Sequence, residues 1–430
     1  MKKTLIIIGG VLLIISIGVL VYVLFFANRA HVVVTQPNTT QAVFPVASNS
    51  KTPATIAGIT GGTRPTQNNI TGAGAVAGTL PRLVQISKGP VVPSVFSFDQ
   101  IIASSSTAST TATVTASTTP IITPVVVQYI DRQSGNIYEY NSSTGKQTRT
   151  SNKTIPGIRS ASWLSDGSLA YVQYVSHTGS GSGEVSTYAL PKNGSGGFFL
   201  PQGLSEVFTR GANSLLAVSS GANGSIIKKT GKDASNVYTA FQTPLSAIQV
   251  MVAGPKNYIV YTKPSAGIGG YVFLEHGNTG ILTPVAGPKK GLVALVNHAG
   301  TSVLVSYINS SGDMRTELVS TQTHAIIQLP ISTIANKCVW SQDDSDIFCG
   351  VPQNPPRELY PDSWYQGTVS FTDQVWEINV TGRYAKFLFN FSKEEGKPLD
   401  TIALSVDPKQ QVLSFVNKRT GALWAYRLQP

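Results

Sequence analysis

The pattern of hydrophobic and polar positions divides the chain into three parts. Residues 4–26 form one continuous, uncharged apolar run. Residues 27–80 are mostly small or polar and include few large apolar residues. From residue 82 onward, apolar positions fall in short runs separated by Gly, Asn, Asp and Ser. This pattern predicts a membrane segment within residues 1–26, a linker over 27–80 and a folded domain over 81–430.

The apolar run has the length of a transmembrane helix. As an α-helix, residues 4–26 span about 34 Å, against a hydrocarbon core of ~30 Å. The apolar part of a cleaved signal peptide is shorter, about 7–15 residues, and no clear cleavage site follows here. Lys2, Lys3 and the N-terminal amine outweigh Arg29, which favours a cytoplasmic N-terminus. We therefore expect an uncleaved, single-pass signal anchor in the cell membrane, with the rest of the chain on the extracytoplasmic side.

Two segments have too little apolar surface to fold by themselves. Residues 27–80 are rich in Thr, Gly, Ala, Asn and Pro, and residues 103–124 are almost entirely Ser, Thr and Ala. Burial of so few apolar groups does not offset the entropy lost on ordering. We expect the first segment to be a disordered tether and the second a low-complexity insertion within the folded domain.

The rest of residues 81–430 has the pattern of strands. Short apolar runs alternate with turn residues, and no helical period is apparent. The sequence therefore predicts an all-β domain. Four representative runs are residues 125–130, 136–140, 169–175 and 413–416.

A strand–turn–strand pattern recurs through this domain. Successive copies are 45, 43, 44, 45 and 64 residues apart, and an insertion at residues 351–370 accounts for the last spacing. A further copy lies upstream of the first, beyond the low-complexity insertion. A period of about 40–45 residues with four short strands is typical of β-propeller blades. Seven copies predict seven blades, with six or eight left open. They centre on residues 95–98, Trp163, Phe208, Met251, Leu295, Trp340 and Leu404.

The first and last strands of the domain are expected to share a blade. The final repeat has only three strand runs, at residues 401–406, 412–417 and 422–428. Residues 82–87 form an additional run ahead of the first copy. Pairing them as the outermost fourth strand would close the ring and leave no long open edge.

Two turn motifs resemble those of a known class. Residues 162–171 read Ser-Trp-Leu-Ser-Asp-Gly-Ser-Leu-Ala-Tyr, and residues 339–348 read Val-Trp-Ser-Gln-Asp-Asp-Ser-Asp-Ile-Phe. Both resemble the W-S-x-D turns of TolB-like and WD-repeat-like β-propellers. Residues 128–131 with 135–138, and residues 360–367, are similar to segments of uncharacterised membrane-anchored envelope proteins of candidate-phylum bacteria. The resemblance implies a propeller fold and a bacterial envelope location, and it implies no particular activity.

The net charge does not indicate a nucleic-acid partner. The chain of 430 residues has a formal charge of +11. Five of its basic residues and none of its acidic ones lie in the first 80 positions. The remaining excess is spread thinly over the folded domain, without blocks of Lys and Arg interleaved with aromatic residues. We therefore expect no nucleic-acid partner.

The sequence contains no recognisable catalytic or metal-binding motif. Its five histidines are not spaced as metal ligands, and there is no G-x-S-x-G motif. Asp343, Asp344 and Asp346 could contact Ca²⁺, but the surrounding loop lacks the further ligands of a calcium loop. Hydrogen bonding within the turn is the favoured interpretation. We expect no metal, no cofactor and no catalytic residue that a motif would identify.

The two cysteines lie symmetrically about this turn. Cys338 and Cys349 are each five residues from the point between Asp343 and Asp344, so a regular hairpin places them opposite each other. Outside the cytoplasm such a pair is expected to oxidise to a disulfide. Two small buried thiols are the alternative.

The insertion at residues 351–370 is the candidate binding element. Its prolines stiffen it, and Tyr360, Trp364 and Tyr365 give it amphipathic contact area suited to recognition. It joins the second and third strands of its blade. Loops at this position lie on the face of a propeller that commonly binds ligands. The alternative is that these aromatic side chains fold back and cap the blade.

These features favour a binding or scaffold module for an envelope protein or polymer such as a polysaccharide. One alternative is a glycan-directed propeller hydrolase whose acids come from several blades. Convergence of two or more carboxylates in one central pocket would favour it. A second alternative is a structural component of the envelope.

Overall fold

The computed structural model describes residues 81–100, 124–176 and 183–429. The predicted transmembrane helix 4–26, the tether 27–80 and residues 103–123 of the low-complexity insertion lie outside the described residues. Within the described ranges, no helix has both the length and the apolar character needed to cross a membrane.

The described residues form short antiparallel strands joined by tight turns, as the alternating pattern predicts. Three helical segments interrupt them: a 3₁₀ helix at Ala335–Lys337, α1 at Asp362–Tyr365 and α2 at Phe391–Glu395. The strands are β1 Leu83–Gln85, β2 Phe96–Asp99, β3 Val125–Ile130, β4 Ile137–Asn141, β5 Gln147–Arg149, β6 Ile158–Trp163, β7 Leu169–Ser176, β8 Glu184–Pro191, β9 Phe198–Phe199, β10 Glu206–Arg210, β11 Ser214–Gly221, β12 Gly224–Gly231, β13 Tyr238–Thr243, β14 Ile248–Ala253, β15 Asn257–Thr262, β16 Gly269–His276, β17 Leu282–Val296, β18 Ser302–Ile308, β19 Met314–Ser320, β20 Ile326–Gln328, β21 Cys338–Trp340, β22 Asp346–Pro352, β23 Asp373–Asn379, β24 Tyr384–Asn390, β25 Thr401–Val406, β26 Val412–Asn417 and β27 Leu423–Arg427.

Within the described residues, these strands make five four-stranded sheets and one seven-stranded sheet. The four-stranded sheets are β2–β5, β6–β9, β10–β13, β21–β24 and β25–β27 with β1. The seven-stranded sheet runs from β14 to β20, and its long strand β17 pairs first with β16 and then with β18. The predicted copies of the repeat coincide with β2, β6, β10, β14, the second half of β17, β21 and β25.

The first strand completes the last sheet, which confirms the predicted closure. Leu83 pairs with Tyr426 and Gln85 with Trp424. The Arg82 side chain donates a hydrogen bond from Nε to the carbonyl of Arg427 at 3.0 Å. Strand β27 therefore has a partner on each side. Sheets of this kind, closed by pairing of distant strands, are those of a β-propeller.

The hydrophobic core lies between neighbouring sheets. Val293 and Leu304 of β17 and β18 pack in one cluster with Trp340 and Ile347 of the next sheet. The two tryptophans of the turn motifs also bond across such a boundary. Trp163 donates from Nε1 to the carbonyl of Ser94 at 3.4 Å, and Trp340 donates to that of Leu295 at 3.3 Å.

Candidate binding face

The predicted insertion is the connection between β22 and β23. Residues 351 and 352 belong to β22, so the connection covers residues 353–372, two residues later at each end than the sequence indicated. It joins the second and third strands of its sheet, as predicted. Helix α1 lies in its middle, with Pro361 at its N-cap.

Contacts to three other loops hold the insertion in place. Asp362 accepts a hydrogen bond from the Ala266 amide at 2.6 Å. Arg357 Nη2 lies 3.9 Å from Asp313 Oδ1, and Arg419 Nη2 donates to the carbonyl of Phe371 at 3.1 Å. These partners belong to the connections β15–β16, β18–β19 and β26–β27. We call the surface formed by the insertion and these three connections the insertion face.

The structure separates the three predicted binding residues. Tyr360 and Trp364 are 4% and 2% exposed, and both pack against Phe371. Burial, with the nearby Glu358, raises the pKa of Tyr360 to about 12. These two side chains follow the alternative in which the insertion folds back on its blade. Tyr365 remains 41% exposed and donates its hydroxyl to Asn336 at 3.0 Å, so its role in binding stays a prediction.

Two further apolar side chains project from the insertion face. Leu359 is 69% exposed and immediately precedes buried Tyr360. Ile268 is 72% exposed and lies two residues beyond Ala266, which binds the insertion. Large apolar groups held outward by fixed loops are typical of recognition surfaces. Sequence reasoning missed both, although an isolated isoleucine among the glycines of residues 267–270 was a signal.

A cluster of ionisable side chains lies beneath the insertion. Lys337, Asp373 and Asp400 each have 0% exposure. Lys337 Nζ lies 2.5 Å from Asp400 Oδ1 and 2.8 Å from Asp373 Oδ2. The three residues come from the 3₁₀ helix, the first residue of β23 and the residue before β25. Sequence reasoning missed this cluster because its members are far apart in the chain and match no motif.

The surroundings of the two carboxyl groups differ. Asp400 Oδ2 accepts hydrogen bonds from the Phe371 amide at 2.9 Å and from Trp364 Nε1 at 3.1 Å. Asp373 Oδ2 accepts from the amide and hydroxyl of Thr401 at 2.7 and 2.9 Å. Asp373 Oδ1 is buried without a hydrogen-bond partner among the described residues. Burial raises the pKa of Asp373 against the attraction of Lys337, and the Asp400 charge raises it further.

The aspartates of the second turn motif serve as hydrogen-bond acceptors. Asp343 accepts from Ser341 and Ser345 within its own turn, and these bonds lower its pKa. Asp346 accepts from Asn379 at 2.7 Å. Asp344 accepts from the amides of His298 and Ala299 in the preceding sheet, each at 2.8 Å. No group of three or more potential metal ligands occurs within residues 81–100, 124–176 and 183–429.

The two cysteines are paired in the structure. Cys338 of β21 and Cys349 of β22 are directly opposed, with Cα atoms 4.1 Å apart and sulfur atoms 2.09 Å apart. The pair bridges the hairpin whose turn contains the three aspartates. This is the geometry expected of opposed residues on neighbouring antiparallel strands.

Comparison with known proteins shows similarity at the level of fold. No protein-family model and no curated protein matches the sequence. An oligogalacturonate lyase in complex with manganese superposes with a TM-score of 0.51 at 11% identity, covering 71% of this chain and 86% of the lyase. TolB from Acinetobacter baumannii gives a TM-score of 0.41 at 11% identity and 59% coverage of each chain. The β-propeller domain of the Pyrococcus furiosus Trilobed protease gives 0.46 at 7% identity, covering 71% of this chain and 92% of that domain. These comparisons show a likeness of fold alone, which is what the predicted resemblance to TolB-like and WD-repeat-like β-propellers implies.

Proposed function

We propose that this protein is a binding module of the cell envelope, a seven-bladed β-propeller whose insertion face binds another envelope protein or a polysaccharide. Residues 4–26 anchor it in the cell membrane with the N-terminus in the cytoplasm. Residues 27–80 tether the propeller on the extracytoplasmic side. A flexible tether raises the local concentration of the binding face near the membrane without fixing its orientation.

We infer seven blades from the role that we assign to β17. If its first half is the outer strand of one blade and its second half the inner strand of the next, the seven-stranded sheet counts as two blades. Together with the five four-stranded sheets, this gives seven. The seven copies of the sequence repeat support the same number.

The observation that carries the binding proposal is the arrangement of the insertion face. Hydrogen bonds to two loops fix the insertion, and an exposed ion pair joins it to a third, while Leu359, Ile268 and Tyr365 remain exposed. A surface ordered before binding loses less conformational entropy when its partner docks. Apolar and aromatic groups on such a surface supply most of the affinity of many interfaces.

Burial of the converging carboxylates supports binding over glycan hydrolysis. Asp373 and Asp400 meet at Lys337, but both are fully buried under the insertion. A glycosidase needs its acid and base in contact with the substrate. A hydrolase and a structural component of the envelope are the two alternatives. The experiment below distinguishes each of them from a binding module.

The binding experiment compares three forms of the purified domain, residues 81–430, immobilised and exposed to fractionated envelope extract. The first form is unchanged, and the second carries Ile268→Ser, Leu359→Ser and Tyr365→Ser. The third carries Phe199→Ser, Val237→Ser and Ile326→Ser, whose side chains are also exposed but lie outside the insertion face. We expect one envelope component to bind the first and third forms at least about 10-fold more tightly than the second. Equal retention by all three forms, or release of sugars from envelope glycans, would contradict the proposal.

Anchoring is tested separately on the full chain. We expect it to sediment with membranes, and deletion of residues 4–26 to release it into the soluble fraction. Protease added outside intact cells should degrade the propeller of the full chain. Protection from that protease would contradict the proposed orientation.

A further inference from the structure

The Lys337–Asp373–Asp400 cluster combines an amine, two carboxyl groups and exclusion of water. All three side chains have 0% exposure. The centres of the Trp364 and Phe371 rings lie 4.9 and 5.2 Å from Lys337 Nζ. Removing ions from water is costly, and the buried amine of Lys337 cannot neutralise two buried carboxylates. The charge of the partly exposed Lys418 also attracts Asp400, but its side chain is not part of the buried cluster. One carboxyl group is therefore expected to carry a proton.

The hydrogen bonds indicate which carboxyl group is protonated. Asp400 has donors at both oxygens: Lys337 and Trp364 at Oδ1, and Trp364 and Phe371 at Oδ2. In Asp373, only Oδ2 has donors, and the buried Oδ1 has no partner among the described residues. A proton on Asp373 Oδ1 removes the unpaired negative charge from that oxygen. Burial raises the pKa of Asp373, in agreement with this assignment.

We propose that Lys337 and Asp400 condense spontaneously into an intramolecular isopeptide bond, with Asp373 as the catalytic acid–base. An amine at hydrogen-bond distance from a carboxyl oxygen is about 3–3.5 Å from its carbon, the separation of a near-attack pair. The observed Nζ–Oδ1 distance is 2.5 Å, and Nζ also donates to the Thr401 carbonyl at 3.0 Å. The product is an amide that joins the segment before β21 to the segment before β25, and thus links two adjacent sheets covalently.

The reaction balances without any additional reagent. A proton moves from Lys337 Nζ to Asp400 Oδ1, which gives a neutral amine and a neutral acid. The amine lone pair attacks Asp400 Cγ, and the carbonyl electrons move to Oδ2. When the carbonyl re-forms, the Cγ–Oδ1 bond breaks, and the departing hydroxyl takes a proton from Asp373 and leaves as water. Asp373 recovers its proton from Nζ, so the net change is one C–N bond formed and one water released.

The surrounding groups are placed to assist the attack on Asp400 and the removal of a proton from Nζ. The Phe371 amide and Trp364 Nε1 donate to Asp400 Oδ2, where negative charge develops in the tetrahedral intermediate. Asp373 Oδ2 lies 2.8 Å from Nζ, within reach of the proton that must be moved. The aromatic cover excludes the water that would favour hydrolysis of the amide. The insertion thereby has a role independent of ligand binding.

The test is the mass of the full chain as purified from its native membrane. After reduction of the cysteines, the measured mass should be lower than the sequence mass by one water molecule. Trypsin should fail to cleave after Lys337 and should release a branched peptide containing Lys337 and Asp400. Fragmentation of that peptide should place the branch at these two residues.

Two variants make the experiment specific. Asp373→Asn keeps the shape of the side chain but cannot supply the proton, so we expect the full sequence mass and cleavage after Lys337. Lys418→Gln is the matched control, because Lys418 Nζ lies 5.3 Å from the centre of the Trp364 ring without forming the amide. It should retain the water loss. An intact sequence mass in the unchanged protein would overturn the proposal and leave a buried ion pair only. A branch at Asp373 would overturn the assigned roles.

Discussion

Asp343 and Asp344 are adjacent in sequence but bond to different parts of the molecule. Asp343 accepts from Ser341 Oγ at 2.6 Å and from Ser345 Oγ at 2.8 Å, both in its own turn. Asp344 accepts from the amides of His298 and Ala299, in the turn of the preceding sheet. The first side chain shapes a hairpin, whereas the second couples two sheets.

Removal of Asp344 should therefore cost more stability than removal of Asp343. We expect Asp344→Ala to lower the free energy of unfolding by about 2 kcal/mol, because several donors lose their acceptor, and Asp343→Ala by about 1 kcal/mol. Urea unfolding of the purified domain measures both values. Equal losses would show that the bonds between sheets add nothing beyond the local turn.

Glu206 should make stability depend on pH. Burial raises its pKa above 4.5, against the opposing effects of Lys263 and Gln249, and its Oε2 has no hydrogen-bond partner among the described residues. As pH rises from the unfolded pKa through the folded one, the unfolded state releases this proton first, so stability falls. Glu206→Gln should remove that fall, as measured by Tm from about pH 4 to pH 8. The exposed Glu395→Gln control should keep the slope of the unchanged protein, and an unaltered slope in Glu206→Gln would contradict the assignment.

At the scale of one element, the β21–β22 hairpin is expected to depend on its disulfide. Cys338 and Cys349 are 11 positions apart. Closing a loop of this size in the unfolded chain stabilises the fold by about 2–3 kcal/mol. Reductant should lower the urea midpoint of the unchanged domain and leave that of the Cys338→Ala, Cys349→Ala double variant unaffected. Alkylation of both thiols under denaturing, non-reducing conditions would show that the cysteines are not paired.

Elements defined by local pattern could be predicted from the sequence, and those defined by distant contacts could not. The alternation of apolar residues located the inner strands, and the turn motifs located Trp163 and Trp340. The path of the insertion depends instead on Ala266 and other residues in separate loops, so Trp364 could equally have been exposed. Lys337 and Asp400 are 63 positions apart, and neither has a neighbourhood that indicates burial.

At the scale of the whole molecule, closure joins the two ends of the propeller. Strand β1 pairs with β27, while Leu83 and Ile86 enter two separate core clusters. The Arg82 guanidinium also lies 4.9 Å from the centre of the Tyr426 ring. A few residues ahead of the first repeat thus contribute both to the last sheet and to the core.

Deletion of residues 81–88 from the purified domain should destabilise it and expose an edge. The loss of buried Leu83 and of the β1–β27 hydrogen bonds should lower the free energy of unfolding by about 3–5 kcal/mol. Strand β27 would then present unpaired backbone groups, which promote association between chains. Urea unfolding and sedimentation velocity measure the two effects.

Arg82→Ala is the control, because it removes side-chain contacts but keeps β1. This variant should remain monomeric, and its free energy of unfolding should fall by about 1 kcal/mol. A deleted chain that stays monomeric and as stable as the unchanged domain would show that closure by β1 is dispensable.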